Sequence, residues 1–370
     1  MDVPHSLPIQ ELSAWLALSR LPDTGSGRLR ELVALHGGVE AARAAARARV
    51  DARVESDLRW LEHPAHHVLA FTSPDYPPLL ARIGDAPALL FVRGDPACLW
   101  SPQVAIVGSR HASAGGLANA RAFAAAFAAS GLAVTSGLAR GIDAAAHLAA
   151  LDAGGTTIAV CGTGLDRTYP AQHEALAARI VAGGALVSEL PLGTPPCRDH
   201  FPRRNRIISA LALGTLVVEA GLESGSLITA RLAAEQGREV FAIPGSIHCP
   251  TARGCHRLLR QGAKLVECAG DVLDELGPLA RELGARIEQR LADDAPAPRA
   301  RPRATRGDDV PDDSSARLLL HALGHDPMSV DELVERSGLT AAAVSSMLTV
   351  LELEGVVAAQ PGSRYVRLAP

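Results

Sequence analysis

The stretch TLVVEAGLESGSLITARLAAEQGREVFAI, residues 215–243, predicts a strand, a glycine-rich loop, a helix and a second strand in succession. Short apolar runs rich in Val, Leu, Ile and Phe form its two ends, and the Ala-rich segment between them has the length of a helix. Strands that are joined through a helix run parallel to each other. The stretch therefore indicates an α/β fold.

The same alternation extends towards the N-terminus. Short β-rich apolar runs, separated by Ala-rich segments, occur at residues 103–107, 132–135, 156–160 and 185–188, ahead of 215–219 and 239–243. Alternating strands and helices predict a doubly wound, mostly parallel sheet. Because ligands of such sheets bind at the carboxyl ends of the strands, the residues that follow each strand are the candidates for a binding site.

Glycines, hydroxyl groups and arginines follow several of these strands. Glycine lets the backbone approach an anion closely, and the helix after each loop offers unpaired N–H groups, so such loops bind phosphate. The candidates are Gly108, Ser109 and Arg110, then Ser136, Gly137 and Arg140, and finally Ser224, Gly225, Ser226 and Thr229. For Ser224 and Ser226, helix capping is the alternative interpretation.

Residues 195–212, PPCRDHFPRRNRIISALA, concentrate arginines around a single aromatic ring. A guanidinium group forks onto phosphate oxygens, and an aromatic ring offers a face to an unstacked base. The predicted contacts of a single-stranded nucleic acid are Arg198, Phe201, Arg203, Arg204, Asn205 and Arg206. The alternative is an exposed basic helix start that Phe201 attaches to the core.

The distribution of charge supports the nucleic-acid interpretation. The whole chain has a formal net charge of -4. Residues 101–270 hold 15 Lys and Arg against 11 Asp and Glu, a local net charge of +4, so the remaining residues carry a net charge of -8. The positive charge is concentrated in the predicted sheet domain, as binding of a polyanion requires.

Other phosphate-binding and hydrolytic motifs are missing. The loop after residues 103–107 lacks the Gly-x-Gly-x-x-Gly spacing of dinucleotide-binding folds. A Walker loop needs a Gly-Lys pair followed by Ser or Thr, and the single lysine, Lys264, stands in Gly262-Ala263-Lys264-Leu265. No Gly-x-Ser-x-Gly elbow occurs either.

The motifs GSR, SGLARGIDAAAH, TIAVCGTGLDRTYP, FPRRNRIISAL, VVEAGLESGSLITARLAAEQGREVFAIPG and GCHRLLRQGAKLV, in this order, resemble the DNA-processing protein A (DprA/Smf) family over residues 70–275. The resemblance implies an extended Rossmann-like domain that binds single-stranded DNA, forms homodimers and loads a RecA-type recombinase during natural transformation.

Carried over to this sequence, the resemblance implies that Gly108-Ser109-Arg110 and Ser136-Gly137 hold a phosphate. It also implies that Arg198 is a basic DNA contact and that Phe201 lies beside the strand. Lys264, in the last motif, joins the expected DNA-binding residues. Two positions depart from the family pattern: His256 replaces a common Asn, and Arg198 replaces a frequent lysine.

Composition divides the chain into four segments. Residues 1–70 predict a small helical domain, for which the resemblance implies the sterile-alpha-motif or helix-hairpin-helix type, and residues 71–284 form the expected Rossmann-like DNA-binding domain. Residues 285–313 predict a disordered linker because Pro, Ala, Asp and Arg dominate. Residues 314–370 predict a winged helix with 4 Arg against 6 Asp and Glu, which favours protein docking or regulation over DNA reading.

The six cysteines show no CxxC pairing, and no signal peptide or membrane-spanning run is found. We therefore expect a cytoplasmic protein with reduced thiols, no cofactor and no membrane contact. The pairs His248-Cys249 and Cys255-His256 could ligate zinc in principle, but the usual short spacing is missing, so no metal is expected.

Two functions stay open. The first is a non-catalytic, sequence-independent binder of single-stranded DNA that loads the recombinase. The alternative is an enzyme similar to the nucleoside-monophosphate phosphoribohydrolases, whose fold is related. The comparable segment here, 219–226, lacks their Pro-Gly-Gly-x-Gly-Thr loop, and we expect a structural or hydrogen-bonding role for Glu219.

Overall fold

The computed structural model describes residues 7–22 and 24–293, and beyond them 319, 323, 328–340, 343–345, 347–348, 351, 357–360 and 364–367. The chain divides into two compact units, Met1–Ala295 and Pro296–Pro370. Among the described residues, no helix is both long and apolar enough to span a membrane.

The first unit is built on a nine-stranded sheet of order β1-β2-β6-β5-β4-β3-β7-β8-β9. The strands from β6 to β9 in this order are parallel, whereas β1 and β2 pair antiparallel with each other and β2 with β6. The strands are β1 His66–Ala70, β2 Leu89–Gly94, β3 Gln103–Val107, β4 Ala133–Ser136, β5 Thr157–Val160, β6 Gly184–Ser188, β7 Gly214–Val217, β8 Glu239–Ala242 and β9 Lys264–Leu265.

The six predicted strands are confirmed within one or two residues, and the mostly parallel α/β fold with them. The sequence did not predict β1, β2 and β9. Strand β1 begins with His66 and His67 and lies at the sheet edge, so it lacks a continuous apolar run. Because β1 lies in the sheet, residues 66–70 do not belong to the helical segment predicted for 1–70.

Helices cover both faces of the sheet, which explains why its strands are apolar throughout. Within β3, Val104 and Ile106 pack with the side of the core that contains Phe123, whereas Ala105 and Val107 pack with the side that contains Ile207 and Ile208. The helices after β1 are α5 Pro78–Ala81, α6 Ala114–Ala129, α7 Ile142–Asp152, α8 Glu174–Gly183, α9 His200–Leu211, α10 Gly225–Glu235, α11 Arg253–Arg260 and α12 Ala269–Asp293.

Four helices precede the sheet: α1 Ile9–Ser19, α2 Ser26–Leu35, α3 Val39–Ala45 and α4 Ala52–Trp60. They share one hydrophobic cluster with the sheet, in which Trp15 and Leu18 pack together with Phe91 of β2. Arg20 also links these helices to the sheet domain. Its guanidinium pairs with the buried Asp57 of α4 at 2.6 Å and donates to the carbonyl of Leu192, which follows β6. The N-terminal helices are thus part of the first unit.

The C-terminal unit is a winged helix, as predicted. A three-stranded sheet of order β10-β12-β11 accompanies helix α13, Val330–Ser337, whose N-cap Ser329 forms a capping box with Glu332. The strands are β10 Met328–Ser329, β11 Val357–Gln360 and β12 Arg364–Arg367. The predicted start of the linker at residue 285 needs correction, because α12 continues to Asp293; residues 294–313 lie outside the described part.

Candidate functional site

A cavity of about 1080 Å³ opens at the carboxyl ends of β3 and β7. The chain passes from β3 through β4 and β5 on one side of the sheet and returns to place β7 and β8 on the other side. The strand order therefore reverses between β3 and β7, which is where ligands of doubly wound sheets bind. The loops after β3 and β7 and the first turns of α9, α10 and α11 form its walls.

Most of the predicted site residues meet in this cavity, although they come from three distant parts of the chain. They are Gly108, Ser109, Arg110, Arg198, Phe201, Arg204, Asn205, Ser224, Gly225, Ser226 and Thr229. Arg110 and Arg198 are exposed, so their guanidinium groups are accessible to a ligand.

An aromatic and cationic cluster forms one wall. The Arg110 guanidinium carbon lies 5.9 Å from the centroid of the Phe201 ring, and the Tyr169 ring lies 5.4 Å from it on a tilted plane. A Cβ at Gly162 would stand 2.9 Å from Cδ1 of Phe201, so this glycine leaves space for the ring. The half-buried Phe201 is held by these neighbours and still faces the cavity.

Arg204 forms the floor of the cavity and is itself buried. Its Nη1 donates to the carbonyls of Gly137, at 2.8 Å, and Val160, and its Nε donates to Oδ1 of Asn205 at 3.1 Å. Burial lowers the pKa of Arg204 and raises the pKa of the nearby buried Asp143. The floor is therefore a fixed network in which the Arg204 guanidinium interacts with the oppositely charged Asp143 side chain.

The start of α10 forms the opposite wall. Ser224 is its N-cap, and its Oγ accepts from the Ser226 N–H at 3.4 Å, so the capping interpretation is confirmed for this residue. Asn205 Nδ2 donates to the Gly225 carbonyl at 3.3 Å and thereby joins α9 to α10. The helix N-terminus and the arginine-rich helix thus face the cavity as one connected surface.

Three predicted contacts after β4 lie elsewhere. Ser136 is buried and its Oγ donates to the Ile106 carbonyl at 2.6 Å. The N–H of Gly137 donates to the Asp143 carboxylate at 3.2 Å. The exposed Arg140 does not line the cavity formed by the described residues. The expected phosphate contact of Ser136 and Gly137 is therefore corrected, because both polar groups already have internal partners.

Arg206 and Lys264 are held in ion pairs away from the cavity. Both terminal nitrogens of Arg206 donate to Glu189 at 2.7 Å, and its Nε lies 2.9 Å from Asp85 Oδ2. Lys264 Nζ lies 3.1 Å from a Glu239 carboxylate oxygen and 2.5 Å from one of Glu275. Neither residue lines the cavity, and the buried Arg206 is already paired with Glu189. The predicted DNA contact of the part-exposed Lys264 stays a prediction.

Arg203 is an intermediate case. Its side chain is 53 % exposed and its Nε lies 3.8 Å from Glu189, but the residue is not part of the cavity wall. Any contact of Arg203 with a nucleic-acid strand would therefore lie outside the cavity.

Sequence reasoning missed several residues of the wall, above all Arg253 and Tyr169. Arg253 is the first residue of α11 and follows the loop after β8. The rule that ligands meet the carboxyl ends of strands, applied to residues 239–243 as well, could have found it.

Glu219 does not line the cavity, although it lies two residues after the end of β7. Its carboxylate accepts from the N–H of Ser113 at 2.9 Å and from the Ser113 hydroxyl at 2.5 Å. The expected hydrogen-bonding role of Glu219 is confirmed.

The described residues contain no group of three or more side chains that could hold a metal ion. Of the two Cys-His pairs, Cys255 is buried against the carbonyls of Val217 and Val218, and His256 Nε2 lies 2.9 Å from the Gly245 carbonyl oxygen.

Known proteins resemble this chain in sequence and in structure. The profile of the family described as DNA recombination-mediator protein A matches residues 67–277, and that of the DprA winged helix domain matches 295–363. Protein Smf of Escherichia coli is 46 % identical over 320 residues, which cover 85 % of this chain and 81 % of that protein. DNA processing protein DprA of Streptococcus pneumoniae is 49 % identical over 200 residues, 54 % of this chain and 71 % of that protein.

Two solved structures are similar. The X-ray structure of DprA from Streptococcus pneumoniae superposes with a TM-score of 0.62 at 37 % identity, over 73 % of this chain and 98 % of that one. DNA processing protein A from Helicobacter pylori, whose description names a single-stranded DNA binding mode, superposes with a TM-score of 0.52 at 28 % identity, over 57 % of this chain and 95 % of that one.

Proposed function

The chain belongs to the DNA recombination-mediator protein A family, and from that premise we propose that it binds single-stranded DNA in the cavity between β3 and β7, without sequence preference. One observation carries the proposal: arginines from three separate segments converge on this cavity together with two aromatic rings. The arginines are Arg110, Arg198, Arg204 and Arg253. Guanidinium groups suit the phosphates, and the rings suit the unstacked bases.

In the proposed mechanism, different walls of the cavity bind the phosphates and the bases of the DNA. The exposed guanidinium groups of Arg110 and Arg198 contact successive phosphates, and the start of α10 offers its positive helix end to another. Phe201 stacks on a base at the same wall. Backbone carbonyls hold the buried Arg204 in place, so it forms a rigid floor beneath the DNA strand. None of these groups distinguishes one base from another.

We further propose that the protein acts as a homodimer that loads a RecA-type recombinase on the bound strand in the cytoplasm, without a cofactor or metal. This part rests on the family resemblance. The acidic balance of the winged helix, 4 Arg against 6 Asp and Glu over residues 314–370, favours a docking or regulatory role for it.

A phosphoribohydrolase-like enzyme is disfavoured. In such an enzyme a carboxylate reaches the glycosidic bond. The residue at the comparable place here, Glu219, is engaged by Ser113 and lies outside the cavity wall. Incubation with AMP and a search for released adenine would test this alternative directly, and adenine release would contradict our proposal.

Binding of an oligo-dT strand should exceed binding of a duplex of equal length and should depend strongly on salt. If about four phosphates are neutralised, log K should fall with log[salt] at a slope of about -3, at roughly -0.7 per contact for single strands. Fluorescence anisotropy of labelled oligonucleotides at several salt concentrations measures both quantities. A flat salt response would contradict phosphate recognition by guanidinium groups.

Phe201→Ala should weaken oligo-dT binding by about 1–3 kcal/mol through loss of base stacking, without changing the salt slope. Phe71→Ala is a matched control, because the Arg30 guanidinium lies 4.8 Å from the Phe71 ring centroid at a place outside the cavity. It should leave affinity unchanged. A reduced slope in Phe201→Ala would instead indicate that the ring acts by positioning Arg110.

A further inference from the structure

We propose that Arg203, together with Arg28 of the N-terminal helices, forms a phosphate contact outside the cavity, so that a bound DNA strand continues from the cavity onto those helices. The inference rests on the proposed function, because it extends the path of the same strand. It gives the helices α1 to α4 a role in nucleic-acid binding besides their packing against the sheet.

Arg203 is a cation that the protein itself leaves largely unused. Its side chain is 53 % exposed, and Glu189, its one ion-pair partner among the described residues, stands 3.8 Å from Nε. That distance is too long for a hydrogen bond. Glu189 is instead bound by Arg206, whose two terminal nitrogens each donate to it at 2.7 Å. The Arg203 guanidinium therefore keeps its donors for a ligand.

The Arg203 guanidinium lies against the N-terminal helices. A Cβ built on Gly25, just before α2, would stand 3.8 Å from Nη2 of Arg203, which is ordinary contact distance. Arg28, three residues later, is exposed and lies on the same side of α2, because residues three apart are neighbours on a helix surface. Two exposed arginines from remote segments of the chain thus share one surface.

This surface is held in place by contacts within the first unit. Trp15 of α1 packs together with Phe91 of β2, and the Arg20 guanidinium pairs with Asp57 and reaches the carbonyl of Leu192 ahead of α9. The N-terminal helices and α9 therefore keep Arg28 and Arg203 together without a ligand. A strand that binds them does not have to order the two segments, which lowers the cost of binding.

The cavity and Arg203 are adjacent along α9. Arg198 and Phe201 line the cavity, and Arg203 stands two residues after Phe201 in the same helix but outside the cavity wall. Because a helix rises about 1.5 Å per residue, Arg203 lies within one turn of the cavity wall. A strand bound at Arg198 reaches Arg203 and Arg28 with its next phosphates, and linked contacts add to the overall affinity.

The first test measures the affinity of the full chain for oligo-dT of about four and about sixteen nucleotides, the shorter of which occupies only the cavity. Arg203→Ala and Arg28→Ala should each weaken binding of the longer probe about five- to tenfold at low salt and make its salt slope shallower by about 0.7. Binding of the shorter probe should stay within about twofold of the parent. Fluorescence anisotropy measures both, after folding is confirmed by circular dichroism.

Arg121→Ala is the matched control for these two variants. Arg121 is also an exposed arginine of a helix, but its helix α6 packs through Phe123 on the other side of the sheet from Ile207 and Ile208 of α9. This control should bind both probes within about twofold of the parent, since only a distant charge is lost.

A second test changes the surface without removing an arginine. Gly25→Asp places a carboxylate beside Nη2 of Arg203, whereas Gly25→Asn adds a side chain of the same size without the charge. Gly25 is the N-cap of α2 with a φ of -76°, and both residues are favoured at such a position, so both variants should fold. We expect Gly25→Asp to weaken the longer probe as Arg203→Ala does, and Gly25→Asn to bind it like the parent.

Folded Arg203→Ala that binds the longer probe like the parent would overturn the proposal, and so would an equal loss in Arg121→Ala. A loss for both probe lengths would place Arg203 among the cavity contacts and contradict the proposal as well. A parent that binds neither probe would reject the proposed function, whereas a parent that binds both while the Arg203 variant is unchanged rejects this inference alone.

Discussion

Arg110→Ala should reduce affinity for oligo-dT by about 1.5–3 kcal/mol, which is roughly ten- to more than a hundredfold. The residue is exposed, lines the cavity and stands over the Phe201 ring. Its loss removes a phosphate contact and one partner of the ring that should stack on a base. The salt slope should also become shallower by about 0.7.

Arg140→Ala is the matched control for this prediction. Arg140 is also an exposed arginine after a strand of the same sheet, but it does not line the cavity. The control should therefore bind oligo-dT within about twofold of the parent, since only a distant charge is lost. If folded Arg110→Ala binds like the parent, or if Arg140→Ala loses as much, the cavity is not the strand site.

Arg206→Ala should lower the free energy of unfolding by about 3–5 kcal/mol, because removal of one partner leaves a buried charge uncompensated. The side chains of Arg206 and Glu189 are only 6 % and 5 % exposed, and the pair is bidentate. Chemical denaturation followed by tryptophan fluorescence measures the change. Under conditions where the variant stays folded, oligo-dT affinity should remain within about threefold of the parent.

Arg203→Ala is the matched control for the stability effect of Arg206→Ala, because both arginines lie in α9. Its side chain is 53 % exposed and only 3.8 Å from Glu189, so its removal should cost no more than about 1 kcal/mol of stability. If Arg206→Ala keeps the free energy of unfolding of the parent but loses affinity for oligo-dT, Arg206 is a DNA contact, as the sequence predicted, and the expected stability role is wrong.

Much of the architecture could be predicted because it depends on local patterns. Strands buried on both faces need continuous apolar runs, and the six central strands show them. The edge strand β1 starts with two histidines, and β9 has only two residues, so neither carries that signal. The winged helix was predicted for residues 314–370, and Ser329 caps its helix α13 through a local capping box with Glu332.

The candidate site was predictable in part for the same reason. Because β3 and β7 are parallel, the loops that follow them lie at the same edge of the sheet. The glycines and hydroxyl groups of these loops indicated a binding site there. Tyr169 carried no comparable signal in the sequence, and Arg253 could have been found only by extending the same rule to the loop after β8.

The sequence by itself determined the fold class, the winged helix and the clustering of arginines near Phe201. Only the tertiary structure decided what each charged side chain does. Arg204 and Arg206 are two residues apart in one motif, yet one forms the cavity floor and the other is bound to Glu189 on the far side of α9. Lys264 and Glu219 likewise found their partners in remote segments. The role of a charge depends on the groups that folding places within a few ångströms of it, and their distance along the chain does not contain that information.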